Sequence, residues 1–235
     1  KNSNLLFEVC ISDNGSEDNV EKVIENYSKD LDIKFKKNHK NSGLGKNILN
    51  VVSMAQGDYV WLLGNDDLIL PNTLKKIEKL INENKGIDFF FINSFNLSSK
   101  AVFDFPQPFD TNQLPRNMER FSKNTKSQLL DFFELIDPKI SFDFLLGIFL
   151  SVFKRKKWEE NINVIDNKDL EQEGTYSTFD NTCPHTKIFS KAFCNSQVYL
   201  NSDPLSVNLH GERDWSDLYP FVESVRIPEI LQYYL

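Results

Sequence analysis

The chain has little cysteine, no excess of basic charge and no hydrophobic run long enough to cross a membrane. Its three cysteines, Cys10, Cys183 and Cys194, show no CxxC spacing, which predicts reduced thiols in a cytosolic protein and excludes a disulfide framework or a zinc site. Lys and Arg total 27 against 34 Asp and Glu, and the net charge of −7 argues against non-specific binding to duplex nucleic acid.

The longest apolar stretch, residues 140–153, is too short to span a bilayer and contains Asp143. Residues 1–9 hold one Lys and no cleavable apolar run, so a signal peptide is not expected. Residues 154–157 are all basic. Two interpretations of this stretch stay open: a buried element with a solvated basic end, or an interfacial element that rests on anionic lipid.

The composition fits one large α/β domain, because the 235 residues are 40% hydrophobic and 26% charged. Short apolar runs predict strands at 7–12, 32–36, 59–63 and 87–92. Apolar residues at helical spacing lie between these runs. This alternation predicts an open, mostly parallel sheet flanked by helices.

The second half of the sequence has a weaker pattern. Three prolines make 101–118 a loop, and 127–136 is predicted as a short helix that ends before Pro138. The apolar stretch 142–153 is ambiguous between helix and strand. Pro184 suits the first turn of another helix, and 198–200 is predicted as a strand.

Two polar loops follow predicted strands, at the strand ends where open α/β sheets bind ligands. The first, from Asp13 to Ser16, is good chemistry for a turn with a helix cap. The second contains Asn65, Asp66 and Asp67, whose oxygens suit Mg²⁺ or Mn²⁺ bridged to phosphate, although Asn-Asp-Asp alone is also good turn chemistry.

A third polar segment, Asn41-Ser42-Gly43-Leu44-Gly45-Lys46-Asn47, is similar to a phosphate loop but lacks the Walker A spacing. It is either a turn before a helix or a loop in which Gly43 lets the backbone approach a nucleotide. In the second interpretation Lys46 or Asn47 contacts that nucleotide.

The segments DNGSED, NSGLGKN and GDYVWLLGNDD, in this order and followed by Pro71, resemble family 2 glycosyltransferases of the GT-A fold over roughly residues 7–95. The stretch FDFLLGIFLSVFKRKKW, residues 142–158, resembles the acceptor-side region of bacterial transferases for surface polysaccharides, with the abequosyltransferase-like branch nearest. The resemblance implies a Rossmann-like α/β domain with two parts. Residues 1–95 form the nucleotide-sugar-binding half, and 96–235 form the acceptor-binding and C-terminal region of the same domain.

The resemblance also implies an inverting transfer from a nucleotide-sugar to a glycan or lipid-linked glycan, with Mn²⁺ or Mg²⁺ as cofactor. The implied roles are as follows: Asp13 contacts the base, Gly43 and Asn47 lie near the nucleotide, Asp66 faces the ribose or sugar, and Asp67 holds the metal. Ser16, Lys46 and Asn65 complete the expected donor-binding set.

Three departures from the family pattern shape the remaining expectations. The chain begins at what corresponds to the family's second strand, so the first family strand is expected to be absent from the sheet. Asn65 stands where the metal motif usually has its first acid, and its carbonyl brings less charge to a cation. The family's catalytic Glu-Asp pair has no copy, and Pro184-His185 stands in its place.

Because an inverting transfer needs one general base, His185 is a candidate, with Asp180 as a competing carboxylate or its orienting partner. The alternative for His185 is an ordinary helix-start residue. His210 is similar to a late histidine that completes the metal shell in this fold, or else is a surface residue. Trp158 and Trp215 are candidates for stacking on an acceptor sugar, with packing as the alternative.

Two other functions stay open. A nucleotidyltransferase uses a related sheet and a metal, although the Gly-rich basic loop expected after its first strand is missing here. A non-catalytic member that binds nucleotide or glycan agrees with Asn65 and with the missing Glu-Asp pair.

Overall fold

The computed structural model describes residues 7–106, 108–174, 176–211 and 216–235 of the chain. The strands are β1 (Val9–Asp13), β2 (Ile33–Lys37), β3 (Tyr59–Trp61), β4 (Asp67–Ile69), β5 (Phe89–Ser98), β6 (Glu119–Arg120), β7 (Gln128–Asp131), β8 (Ser151–Lys154) and β9 (Gln197–His210). The α-helices are α1 (Val20–Tyr27), α2 (Leu44–Met54), α3 (Thr73–Glu83), α4 (Arg155–Asn161), α5 (Asn167–Leu170), α6 (Phe179–Thr182), α7 (Pro184–Phe193), α8 (Tyr219–Phe221) and α9 (Ile227–Leu231).

Residues 7–95 alternate between strand and helix as their sequence predicts, except that β3 is followed directly by β4, a short strand that was not predicted. Local chemistry sets several of the helix starts. The side chain of Asn19 accepts a hydrogen bond from the backbone N–H of Lys22 and caps α1, so the cap is Asn19 and not Ser16. Pro184 opens α7, where its missing N–H costs nothing.

The strands form a two-stranded parallel sheet, β1 with β2, and a seven-stranded mixed sheet. The larger sheet has the order β3-β8-β5-β9-β4, with β6 added to β5 and β7 to β9. The α/β class with helices around a central sheet is therefore confirmed. The expected parallel pairing holds for β1–β2 and for β5–β9, whereas the other described pairs are antiparallel.

Strands from both predicted parts of the chain alternate in the larger sheet, since β8 and β9 lie between strands of the first 98 residues. In the second half, the helix predicted at 127–136 is wrong, the ambiguous stretch 142–153 is resolved, and the strand predicted at 198–200 is longer than expected. Residues 128–131 form β7, followed by a 3₁₀ turn, and not a helix. The stretch 142–153 contains two 3₁₀ turns and β8. The strand expected at 198–200 extends to His210 because it gains partners on both sides.

The core is built on phenylalanine and lies on both faces of β5. Phe89 and Phe91 face one cluster with α2 and α7, and Phe90 and Ile92 face another with the apolar side of α3. Phe89 is fully buried and lies 5.1–6.3 Å from four other aromatic rings: Phe132, Phe144, Phe189 and Phe193. Alternate residues of a strand point to opposite faces, so a continuous apolar run is what a doubly covered strand requires.

Several polar segments lie at one set of strand ends in the larger sheet. We call this set the edge: it contains the ends of β3, β5 and β9 and the starts of β4 and β8. Because β8 is antiparallel to β3 and to β5, the residues before β8 lie at the same edge as the residues after β3 and β5. β9 is parallel to β5 and also ends there, and β4 begins there because it is antiparallel to β9. β3 and β4 are the first and last strands of the order β3-β8-β5-β9-β4. The loop between them therefore runs along this edge from one outer strand to the other.

Candidate functional site

Asp13 ends β1 and is buried in the loop that it builds. Its carboxylate accepts hydrogen bonds from the backbone N–H of Ser16 at 2.9 Å and from the Ser16 hydroxyl at 3.1 Å. The backbone N–H of Ser16 lowers the pKa of Asp13, and the Ser16 hydroxyl and the nearby Lys37 ammonium act in the same direction. Asp13 is thus held ionised, with its orientation set by its own loop.

Asparagine side chains join the Asp13 loop to the segment 38–47. The Asn14 carbonyl oxygen accepts from the backbone N–H and the hydroxyl of Ser42, both at 2.9 Å, and from Asn38 Nδ2 at 3.2 Å. Asn47 donates to the backbone carbonyl of Ser12 and accepts from its hydroxyl at 2.6 Å. Asn14 Nδ2 also donates to the carbonyl of Gly43 at 3.3 Å. Four of the predicted donor-binding residues, Asp13, Ser16, Gly43 and Asn47, therefore lie in one hydrogen-bonded assembly.

Gly43 is the N-cap residue of α2, with φ +87°, a left-handed conformation that glycine adopts without strain. An added Cβ there would meet no atom within 4 Å, so the space beside this backbone is open. Lys46 points elsewhere in this structure: its ammonium lies 3.4 Å from an oxygen of Glu171, and the two side chains are 41% and 66% exposed. The opening at Gly43 fits the interpretation in which the backbone approaches a ligand.

Gly45 brings the start of α2 into direct backbone contact with α6. A Cβ at Gly45 would lie 2.6 Å from the carbonyl oxygen of Asp180 and 2.8 Å from Cα of Asn181. We expect Gly45→Ala to destabilise the fold by about 1–3 kcal/mol, because backbone atoms cannot rotate away from the new methyl group. Urea denaturation measures this loss.

Gly57→Ala is the matched control, since its added Cβ would lie 3.5 Å from the nearest atom. An equal loss of stability in the two variants would contradict the close approach at Gly45.

The second polar loop brings two carboxylates together beside Gly64. A Cβ at Gly64 would lie 2.5 Å from Asp66 Oδ1 and 3.2 Å from Asp67 Oδ2, so both side chains fold back over the same glycine. The backbone N–H of Gly64 donates to Asp67 Oδ2 at 2.6 Å. Asn65 is exposed at the tip of the loop.

Asn208 is a site residue that the sequence did not indicate. It lies directly across from Asp67 in the β4–β9 pair, and its Nδ2 donates to Asp67 Oδ1 at 2.9 Å. The same register continues from Asn208 to Asn96 in β5 and from Asn96 to Glu119 in β6. Directly opposed residues share a sheet face, so these four side chains form one polar row. His210 lies two residues further along β9 on the same face and is exposed.

The arrangement of donors decides whether a divalent cation fits. Among the described residues, no three His, Cys, Asp or Glu side chains converge as a metal site. Mg²⁺ and Mn²⁺ are commonly held by one or two carboxylates, with phosphate and water as the other ligands. The carboxylates of Asp66 and Asp67, which converge at Gly64, fit that smaller donor set.

The structure buries both candidates for the catalytic base. His185 is 2% exposed, and its ring nitrogens make no well-formed hydrogen bond within the described chain. Burial lowers the pKa of His185 to about 4, against a weaker opposing influence of the Leu145 carbonyl. Asp180 is 1% exposed, pairs with the Lys187 ammonium at 2.9 Å and accepts from the backbone N–H of Asp166. Neither side chain is accessible to an acceptor hydroxyl, and the assignment to either of them is corrected.

The two tryptophan candidates have different outcomes. Trp158 is 1% exposed and stacks on Phe153, with ring centroids 5.1 Å apart. It is a core residue, which corrects its assignment to the acceptor. Trp215 lies outside the described residues.

The basic run 154–157 is partly occupied by contacts within the protein. Lys154 lies 4.7 Å above the ring of Tyr59, and Arg155 donates to the carbonyl of Gly57 at 2.7 Å. Lys156 lies 3.8 Å from a carboxylate oxygen of Glu160. Among the described residues, no helix has both the length and the apolar character needed to cross a bilayer.

Comparison with known proteins identifies a family model, glycosyl transferase family 2, that matches residues 1–123. Abequosyltransferase RfbV of Salmonella typhimurium is 36% identical over 88 residues, which are 36% of this chain and 26% of that protein. The uncharacterized glycosyltransferase MJ1057 of Methanocaldococcus jannaschii is 36% identical over 84 residues, 35% of this chain and 29% of that protein. The matches span less than a third of these two relatives.

A similar fold occurs in a solved structure, residues 1–349 of TarS from S. aureus in complex with UDP. The TM-score is 0.60 at 17% identity, covering 97% of this chain and 55% of that one. TarS has also been solved with UDP-GlcNAc, with a TM-score of 0.59 over 88% of this chain and 51% of that one. At this identity the similarity shows the fold alone.

Proposed function

Because this chain belongs to glycosyl transferase family 2, we propose that it moves a sugar from a nucleotide-sugar donor to a hydroxyl of a glycan or lipid-linked glycan, with inversion at the anomeric carbon. We place the reaction in bacterial surface polysaccharide synthesis, such as that of capsule or lipopolysaccharide, by analogy with the abequosyltransferase. The observation that best supports this function is the convergence of Asp66 and Asp67 beside Gly64, at the edge where several strands end.

In this proposal the two polar assemblies serve one donor. Asp13, Ser16, Gly43, Lys46 and Asn47 surround the nucleotide, and Asn65 with Asp66 faces the ribose and the sugar. The ionised Asp13 accepts a hydrogen bond from an N–H of the base, and the open backbone at Gly43 admits the donor. Both roles use properties that the loops already have without ligand.

Asp67 would hold Mn²⁺ or Mg²⁺, with His210 on the neighbouring strand as a further ligand. A bound cation would neutralise charge on the leaving diphosphate. Asp67 suits this role because the hydrogen bonds from Gly64 N–H and Asn208 Nδ2 hold its carboxylate in one orientation. Trp215 stays a proposed acceptor contact. Peripheral contact with the inner face of the cytoplasmic membrane, through the basic run 154–157, belongs to the same proposal.

A non-catalytic member of the family is the second candidate. Asn65 in the metal motif and the burial of both His185 and Asp180 favour it. Such a protein would bind a nucleotide-sugar or a glycan without turnover.

The test is a thermal-shift panel of nucleotide-sugars, including UDP-GlcNAc, with and without Mn²⁺, followed by product analysis for each stabilising donor. A ligand that binds the native state raises the unfolding temperature by mass action. We expect stabilisation that requires Mn²⁺, with release of nucleoside diphosphate when acceptor glycans are added. Stabilisation without turnover would favour the binding protein, release of pyrophosphate would indicate a nucleotidyltransferase, and a panel without any shift would contradict the donor site.

A further inference from the structure

The segment before β8 lies beside the acidic loop. β3 and β8 are antiparallel, with Trp61 opposite Val152, so residues 142–150 extend past the end of β3. A direct contact fixes this placement: the indole Nε1 of Trp61 donates to the carbonyl of Phe149 at 2.7 Å. The residues that directly precede β8 therefore lie at the edge where the loop containing Asp66 and Asp67 begins.

This segment presents one carboxylate, Asp143, in a defined orientation. The Ser141 hydroxyl donates to Asp143 Oδ2, and the backbone N–H of Gly147 donates to the Asp143 carbonyl at 2.6 Å. Within the described residues, Oδ1 of Asp143 accepts no hydrogen bond, and the side chain is exposed. A carboxylate with one oxygen held and the other available has the form of a general base.

The backbone at Ser141 is strained to produce this turn. Ser141 is 6% exposed and has φ +131°, which side chains other than glycine rarely adopt. Such conformations persist when the surrounding structure enforces them, and they concentrate at functional sites.

Asp143 borders a cavity of about 250 Å³ between residues 121–123 and 138–143. Phe121 forms one wall and is anchored by its N–H to the carbonyl of Ser94 at 3.0 Å and by the ring of Phe149 at 5.2 Å. Lys123 and Ser141 add polar groups to the lining. An aromatic wall with a few polar groups suits a sugar, whose ring has C–H faces and hydroxyl edges.

The C-terminal part of the chain approaches the same carboxylate. Partial burial raises the pKa of Tyr219, and the negative charges of Glu223 and Asp143 add to that effect, so Tyr219 is near Asp143. Tyr219 follows His210 closely in the chain, and His210 shares a sheet face with Asn208. Asp143 thus lies near both the cavity and Tyr219, the first residue of α8.

We propose that Asp143 is the general base of the transfer and that the cavity beside it receives the acceptor sugar; this inference rests on the proposed function. The acceptor O–H bond breaks and its proton passes to Asp143 Oδ1. The acceptor oxygen forms a bond to the anomeric carbon of the donor sugar. The bond from that carbon to the diphosphate oxygen breaks, and its electron pair leaves with the nucleoside diphosphate.

The test compares wild type with Asp143→Asn, which keeps the shape of the side chain and removes its basicity. Wild type is first assayed with the nucleotide-sugar panel and with octyl glycosides as acceptor probes, to find a productive pair. We then expect Asp143→Asn to lower kcat by ~10²-fold or more, the range for a lost general base. The donor KM and the thermal shift produced by UDP with Mn²⁺ should stay within about twofold of wild type, because the proposed base does not touch the nucleotide.

Asp137→Asn is the matched control, because Asp137 is also exposed, lies six residues away and caps the backbone N–H of Lys139. It should keep wild-type kcat. Full turnover in Asp143→Asn would overturn the assignment and leave the proposed function intact. Loss of UDP binding in Asp143→Asn would also overturn it, since the residue would then act on the donor side. A wild type that transfers sugar to no probe would overturn the proposed function and this inference together.

Discussion

Replacing Asp67 by Asn is expected to lower the rate of sugar transfer by ~10²-fold or more. A metal-held diphosphate is stabilised as a leaving group by several kcal/mol, and each 1.4 kcal/mol or so changes a rate tenfold. Asp67→Asn keeps the side-chain size but removes the negative charge that would attract the proposed divalent cation. The measurement is kcat during a Mn²⁺ titration, together with Mn²⁺ binding followed by electron paramagnetic resonance in the presence of UDP.

A second variant, Asn208→Ala, is expected to have a smaller effect in the same experiment. Asn208→Ala removes the amide that donates to Asp67 Oδ1 and leaves the carboxylate itself in place. Losing such a supporting hydrogen bond typically costs about 10–100-fold in metal affinity or activity, so we expect a weaker effect than that of Asp67→Asn.

Two controls match these variants. Asp58→Asn changes an exposed residue directly before β3, at the end of the strand opposite to the acidic loop. Asn96→Ala lies next to Asn208 in the polar row, on the adjacent strand. Unchanged Mn²⁺ affinity and kcat in Asp67→Asn would show that the cation site is elsewhere.

Acidification is expected to destabilise the protein through His185. Its pKa is about 4 in the folded protein, below the ordinary value of 6.5. Between these two values the unfolded chain binds a proton that the folded protein does not, so stability falls as the pH decreases through this window. The stabilisation is fully present above pH 6.5 or so. It falls by about 1.4 kcal/mol per pH unit, which is of order 3 kcal/mol over the whole window.

Urea denaturation at pH 7.5 and pH 5.0 measures this dependence in wild type and in His185→Gln. The glutamine cannot take up a proton, so its free energy of unfolding should change less between the two pH values. His39→Gln is the control, because His39 is exposed. If wild type and His185→Gln lost equal stability at pH 5.0, the acid sensitivity would come from other groups.

The low pKa and the burial of His185 also argue against its predicted role as the catalytic base. A neutral imidazole with its ring against Phe189, at 5.8 Å between centroids, contributes to the core as an apolar group does. Its ring also lies near the carbonyl of Leu145, in the turn that carries Asp143. His185 is therefore a core residue that does not meet the acceptor.

The sequence by itself determined the local structure of the first 95 residues and the chemistry of their loops. Apolar periodicity, a proline and a few polar caps act over a handful of residues, so the alternation of strands and helices can be predicted without tertiary information. The acidic pair Asp66-Asp67 and the glycine before α2 belong to this local level.

Only the tertiary structure decided which distant residues meet these loops. The contact of Asn208 with Asp67 joins positions 141 residues apart through a strand that was predicted to be much shorter. Burial of His185, Asp180 and Trp158 depends on how several elements pack around them. The position of the residues before β8 depends on an antiparallel pairing with β3 and β5 that no local pattern in the sequence predicts. Strand partners and burial are set by packing across the whole domain. A short polar or apolar run does not by itself determine which strand it pairs with or which of its faces is buried.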